Sequence, residues 1–231
     1  MPARPGHKRP AMIQSRRPPP PLPFSGQVAI FSRLAEANPQ PVTELSFTNP
    51  FTLVVAVALS AQATDAGVNK ATAGLFAVAD TPERMLALGL EGVTEHIRTI
   101  GLFRQKARNV MALCRILVDD YGGAVPDSRA ALMRLPGVGR KTANVVLNTA
   151  FGHPAQAVDT HIFRVGNRTR IAPGRDVDEV ERAIEDNVPA RFQGNAHHWL
   201  ILHGRYICQA RRPRCAVCVI NDLCPYEDKT A

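Results

Sequence analysis

The chain has 231 residues, of which 45% are apolar, 21% charged and 6% aromatic, and its formal net charge is +8. That length suits one large domain or two small ones, and the apolar fraction excludes collagen-like, mucin-like and wholly disordered classes. The longest apolar runs, such as residues 51–61, fall short of the roughly 18 residues that a membrane span needs, and no stretch reads as a signal peptide. A soluble, cytoplasmic chain with no membrane partner is expected.

Residues 1–23 hold Arg4, Lys8, Arg9, Arg16 and Arg17, no acid, and eight prolines, so most of the net charge belongs to a tail. Proline removes backbone donors and fixes φ, which predicts an extended, unpacked arm over residues 1–26. It reads as a solvated extension, as a weak tether to phosphate, or as a leader before a true start at Met12. After Gly26 the pattern is helix after helix. Val28, Phe31, Leu34 and Ala35 recur at helical spacing over residues 27–37, and Asn38-Pro39 ends the run. Pro50 opens a helix over residues 51–62 that is apolar nearly all round and should be buried. Asp65 caps a segment reaching Val78. Thr81-Pro82-Glu83 is a helix start leading to Leu88. Further helices are predicted near residues 93–97, 104–121, 128–135, 140–150, 162–167, 177–187 and 196–208. Alternating strand patterns are scarce, so the fold class is all-α.

Four cysteines, Cys208, Cys215, Cys218 and Cys224, fall close together near the C-terminal end. Thiolates at this density argue for a metal centre over disulfides, and thiolate count alone leaves zinc and iron–sulfur both open. Cys114 sits in an apolar stretch and reads as a core residue. Between Cys208 and Cys215 lie Arg211, Arg212 and Arg214, with Arg205 just before and no acid among them. Pinned at both ends, this loop would be a rigid cationic projection suited to phosphate; otherwise it is a solvated surface.

Leu135-Pro136-Gly137-Val138-Gly139-Arg140-Lys141-Thr142-Ala143 joins two helical stretches. Two glycines allow a tight turn, and the N–H groups opening the second helix form an anion site. A nucleotide-binding phosphate loop is rejected: Arg140 stands where glycine is needed, and a helix, not a strand, precedes. Lys141, one turn into the helix, is either a phosphate contact or an amine nucleophile. For the second role it must be partly neutral, which burial in an apolar pocket would favour. Asp159 is the candidate partner acid, or a plain helix cap, or both.

With these residues in view, the sequence resembles the endonuclease III family of helix-hairpin-helix DNA glycosylases over roughly residues 27–228. The motifs that carry the likeness are Leu59-Ser60-Ala61-Gln62-Ala63-Thr64-Asp65, the hairpin, Val158 to Arg164, the stretch from His197 to Arg205, and the four cysteines. The resemblance implies a [4Fe–4S] cluster on Cys208, Cys215, Cys218 and Cys224. It implies two domains: a six-helix barrel over residues 43–153 that carries the helix-hairpin-helix, and a cluster domain assembled from 27–42 and 154–231. It implies base excision repair by a bifunctional glycosylase and abasic-site lyase, with double-stranded DNA as partner and damaged pyrimidines or abasic sites as targets. The enzyme is expected to be monomeric. Lys141 and Asp159 would be catalytic. Gln62 and Leu102 would fill the gap left by a flipped base, and Gly137, Val138, Gly139, Arg140, Thr142, Arg205, Arg211, Arg212 and Arg214 would contact DNA. Adenine–mismatch relatives resemble the chain less, because they usually lack lysine at the position of Lys141. A cluster-bearing DNA-binding module without catalysis would have no need of both Lys141 and Asp159. His197, His198, His203 and Trp199 read as packing around the cluster.

Overall fold

The computed structural model describes residues 18–230, so the arm's five cations and Met12 lie outside the described residues. Ten α-helices follow in order, and no strand occurs among the described residues: α1 Phe24–Ala37, α2 Pro50–Leu59, α3 Asp65–Val78, α4 Pro82–Ile97, α5 Phe103–Tyr121, α6 Arg129–Leu132, α7 Arg140–Phe151, α8 Thr160–Thr169, α9 Val177–Asn187 and α10 Ala190–Tyr206. The all-α expectation is met. The boundaries move for local reasons. α1 begins at Phe24, inside the expected arm, and Leu22 packs on a hydrophobic core while its N–H donates to Arg170 O at 2.8 Å. α2 stops at Leu59 because Ser60 Oγ turns back onto Val57 O (2.8 Å) and Gln62 takes a left-handed φ of 55°. Thr64, not Asp65, caps α3, its side chain accepting from Gly67 N–H. α4 is broken at Gly89. α6 has only four residues, since Pro136 disfavours helix before it and the chain leaves in tight turns. α10 starts earlier than expected, because Gly194 and Asn195 do not interrupt it.

Two hydrophobic cores organise these helices. The first, from Leu45 to Ala155, is built around α2, whose residues Phe51 to Val57 and Leu59 are all buried. Residue by residue, that explains why α2 has no polar face: α3, α5 and α7 pack against it. The second core joins α1 to α8, α9 and α10. Its centre is an aromatic trio of Phe31, Phe192 and Trp199, with ring centroids 5.7–6.2 Å apart. Trp199 buries its ring and still satisfies its N–H, which donates to Asn38 O at 2.8 Å. α8 and α10 approach closely at Gly204, where an added Cβ would come within 2.8 Å of His161 Cβ. Cys114 lies in the first core, and burial pushes its thiol up to about 12.

The two cores are stitched by a buried carboxylate. Glu181 on α9 is 4% exposed. It accepts from Arg140 Nε (3.1 Å) and Nη2 (3.0 Å), and from Asn144 Nδ2 (3.0 Å), both on α7. Arg129 on α6 donates to Asn144 Oδ1 at 2.7 Å. A buried charge persists only when its oxygens are occupied in this way. Glu181→Ala is expected to lower the unfolding free energy by about 2 kcal/mol, and Glu181→Gln by less, read from urea midpoints at constant slope.

Candidate active site

The hairpin is built by glycine at one position above all. Gly137 has φ of 82°, and Asn109 Nδ2 lies 3.2 Å from where a Cβ would stand, so both conformation and space demand glycine. Val138 then folds back: its N–H donates to Leu135 O at 3.0 Å and its side chain is 5% exposed. Gly139 precedes α7 and offers no capping side chain, which leaves the first-turn N–H groups of α7 for an outside acceptor.

Lys141 is the second residue of α7, not one turn inside it, and its side chain is 56% exposed. The apolar burial expected for this amine is absent. What does lie beside it is Asp159, with Oδ2 3.9 Å from Nζ. Asp159 also caps α8: its Oδ1 accepts from His161 N–H (2.8 Å) and Ile162 N–H (2.9 Å). The cap engages Oδ1, and Oδ2 is the oxygen that lies toward Lys141.

Lys141 opens on a cleft of about 220 Å³ between the two cores, whose walls include Gln62, Thr142, His197 and Arg205. Gln62 is exposed and Leu102 is 63% exposed. Neither is the buried residue that a purely structural role would require. Both are left-handed, at φ 55° and 59°, and their loops touch, since a Cβ at Gly101 would lie 4.0 Å from Gln62 O. Strained backbone at two adjoining loop tips beside a cleft is a feature of functional sites.

Three of the residues expected at DNA have side chains that the fold already engages. The Val138 side chain is packed in the core. Arg140 is committed to Glu181. Arg205 does not belong to the free cationic loop: it is held by Glu44 and by Asp65, the latter at 2.5 Å. Burial works against the Glu44 carboxylate, but bonds from the Tyr206 hydroxyl and Arg205 outweigh it and hold its pKa below the ordinary value. Glu44 and Glu181 escaped sequence reasoning because they meet their arginines across large sequence separations. Asp65 falls in a quoted motif, yet its pairing is likewise a tertiary fact.

The histidine-rich stretch of α10 divides its tasks. His203 Nε2 lies 3.7 Å from Cys218 Sγ, at the cysteine cluster as expected. His197 lies instead on the cleft, near Lys141.

Cys208, Cys215, Cys218 and Cys224 line one cavity. A single tetrahedral ion would draw its sulfurs to about 2.3 Å from one point. Among the described residues no three His, Cys, Asp or Glu side chains stand close enough to hold one ion. Four thiols around one shared cavity fit the four-sulfur ligand set of an iron–sulfur cluster. Burial raises the Cys218 and Cys224 thiols, and the neighbouring sulfurs add to it, so a cationic centre is what would keep them as thiolates. The loop that follows Cys208 is clamped by Arg168, which donates to Gln209 O and Ala210 O at 2.8 Å each. Arg164 adds a bond to Cys208 O at 2.8 Å. Arg211, Arg212 and Arg214 are exposed on it.

Comparison with known proteins agrees with this geometry. Residues 55–190 match the HhH-GPD superfamily of base excision DNA repair proteins, and residues 208–224 match the iron–sulfur binding domain of endonuclease III. Endonuclease III of Escherichia coli (strain K12) is 61% identical over 203 residues, covering 88% of this chain and 96% of that protein. The chain belongs to the endonuclease III family. It is therefore a base excision repair DNA glycosylase and abasic-site lyase, and it carries a [4Fe–4S] cluster. Among solved structures, a trapped endonuclease III–DNA covalent intermediate is similar with a TM-score of 0.80, at 46% identity over 88% of this chain and 96% of that one. A non-covalent endonuclease III–DNA complex is similar with a TM-score of 0.81, at the same identity and coverage. The family's fold is the one described above: two domains, one a six-helix barrel with the hairpin, the other holding the cluster.

Burial pushes the His197 imidazole down to about 3, and His198, Lys141 and Arg205 push the same way. An unfolded chain takes a proton there below about pH 6.5, whereas the folded chain resists until far lower. Stability from this group is complete above about pH 6.5 and is lost as the pH falls toward 3. Urea unfolding at pH 7 and pH 5 is expected to show a smaller acid loss for His197→Phe than for wild type.

Proposed function

We propose that this endonuclease III family member removes oxidised or ring-opened pyrimidines from duplex DNA and cuts the 3′ side of abasic sites, through an imine on Lys141. The observation that carries the reading is the 3.9 Å separation of Lys141 Nζ and Asp159 Oδ2 at the mouth of the cleft. The covalent endonuclease III–DNA intermediate named for a solved relative supports it. The damaged nucleotide leaves the stack and enters the cleft, at a cost of a few kcal/mol. Gln62 and Leu102 enter the duplex from their two loop tips. Lys141, as neutral amine, attacks C1′, and the C1′–N bond to the base breaks. The ring-opened sugar is then held as an imine, which acidifies the C2′ proton, so β-elimination cleaves the strand. Asp159 Oδ2 takes and returns protons and offsets positive charge on the sugar, while Oδ1 keeps the side chain fixed to α8.

The backbone is gripped without reading sequence. N–H groups at Gly139, Arg140 and Thr142 face one phosphate, with Gly137 setting the turn. Arg211, Arg212 and Arg214 face others. Arg140 and Arg205 act through the carboxylates they hold, by fixing the hairpin and the cleft wall. Cys208, Cys215, Cys218 and Cys224 hold the [4Fe–4S] cluster, which when bound supplies a rigid anchor for the cationic loop. The barrel domain spans residues 43–153 and the cluster domain 27–42 and 154–231, a division that the two separate cores support. The enzyme works as a monomer in the cytoplasm, on nucleoid DNA; no helix among the described residues is long and apolar enough to cross a membrane.

Borohydride reduction during turnover is expected to yield a covalent DNA adduct with wild type and none with Lys141→Gln; an adduct surviving in that variant overturns the assignment. Arg212→Ala is expected to weaken binding to every sequence about equally and to lower the salt slope by roughly one unit. A change confined to particular lesions would contradict the loop's role.

A further inference from the structure

The cleft beside Lys141 contains a buried imidazole that the proposed chemistry does not use. His197 is 3% exposed and borders the cleft, yet its buried Nδ1 has no hydrogen-bond partner. Buried polar atoms without partners are uncommon, and this one decides which nitrogen of the ring carries the proton. The charged groups of the cleft are paired with one another. Glu44 and Asp65 are paired with Arg205, and Lys141 faces Asp159.

The ring is also held in place. It packs edge-on against His198 with centroids 5.2 Å apart and planes at 75°. Its helix is tied at the preceding turn, where Asn148 Nδ2 donates to Gly194 O (3.0 Å) and Gln156 Nε2 to Gln193 O (3.1 Å). With burial and two nearby cations, the imidazole stays neutral at physiological pH. A neutral ring has one N–H and one lone pair. At the partnerless Nδ1 a bare lone pair is tolerated better than a bare N–H, so the proton belongs on Nε2. The ring then offers the cleft a donor without charge. Such a group suits a carbonyl oxygen, whereas a phosphate would go to the cations.

We propose that the His197 Nε2–H hydrogen-bonds the C2 carbonyl oxygen of the extruded pyrimidine and stabilises that base as it leaves. This inference rests on the lyase reading above. Lys141 attacks C1′, which is bonded to N1 of the base, and the carbonyl nearest to that bond is the one at C2. As the amine lone pair forms the new N–C1′ bond, the C1′–N1 pair passes to the base and spreads from N1 onto the C2 oxygen. A donor fixed there before the reaction gains strength as that charge develops. His197 keeps its own proton; the proton lost from Nζ passes through Asp159 to the departing base.

An abasic site has no base, and that separates the idea from a merely structural role. The experiment compares excision of thymine glycol from a duplex with strand cleavage at an abasic site in the same sequence. For His197→Phe, single-turnover excision of thymine glycol is expected to fall about 100-fold, while abasic cleavage and the borohydride adduct at the abasic site change by less than about threefold. His197→Gln, which restores an N–H donor, is expected to recover part of the loss. Equal losses on the two duplexes, in both variants, would overturn the proposal by showing that the ring only shapes the cleft. Unchanged thymine glycol excision in His197→Phe would overturn it too. A wild-type enzyme that gives no borohydride adduct at all would overturn the lyase reading and this inference with it, whereas an adduct with equal losses removes only the inference.

Discussion

A carboxylate has two oxygens, and the site depends on Asp159 using them differently. Oδ1 is spent on two backbone N–H groups opening α8, while Oδ2 stays toward Lys141. The cap orders the side chain, so the carboxylate end of the pair is set by the packing of α8 and not by a flexible rotamer. α8 is in turn locked to α10 at Gly204, where no larger residue fits. The amine comes from the other core, on α7. The pairing therefore exists only when the two cores are correctly seated, and the cleft between them is where a nucleotide removed from its stack would be received.

Charged groups also bridge the two cores. Glu181 draws α6 and α7 toward α9, and Arg205 draws Glu44 and Asp65 toward α10. The Arg140–Glu181 pair is bidentate and so adds direction to the close packing of the cores. These pairs occupy arginines that would otherwise read as DNA contacts. The bare N-terminal turn of α7 and the clamped loop carrying Arg211, Arg212 and Arg214 are the surface proposed for phosphate. The two lie on opposite cores, so a duplex held by both would straddle the cleft.

The cluster cavity follows the same logic of fixing a loop by its ends. Arg168 and Arg164 bond its carbonyls from α8, the helix that Asp159 caps. One helix thus serves the amine's partner at its start and the cationic loop further along.

Much of this was legible in the primary structure. Helix content followed from periodicity, the buried α2 from its lack of a polar face, and the hairpin from Gly137 and Gly139. The spacing of four cysteines announced a metal centre and left its nature open. Cues of this kind are local: they depend on residues within a turn or two of each other, or on thiols that have little else to do at such density. Packing alone decided the rest. That Arg140 and Arg205 are neutralised, that Lys141 is exposed, that Leu102 is not a core leucine, and that His197 faces the cleft while His203 faces the cysteines all depend on which distant groups arrive alongside. Glu44 meets Arg205 across 161 positions and Glu181 meets Arg140 across 41. An amino-acid string carries no measure of such distances, because burial and charge pairing are properties of the assembled interior and not of neighbours along the chain.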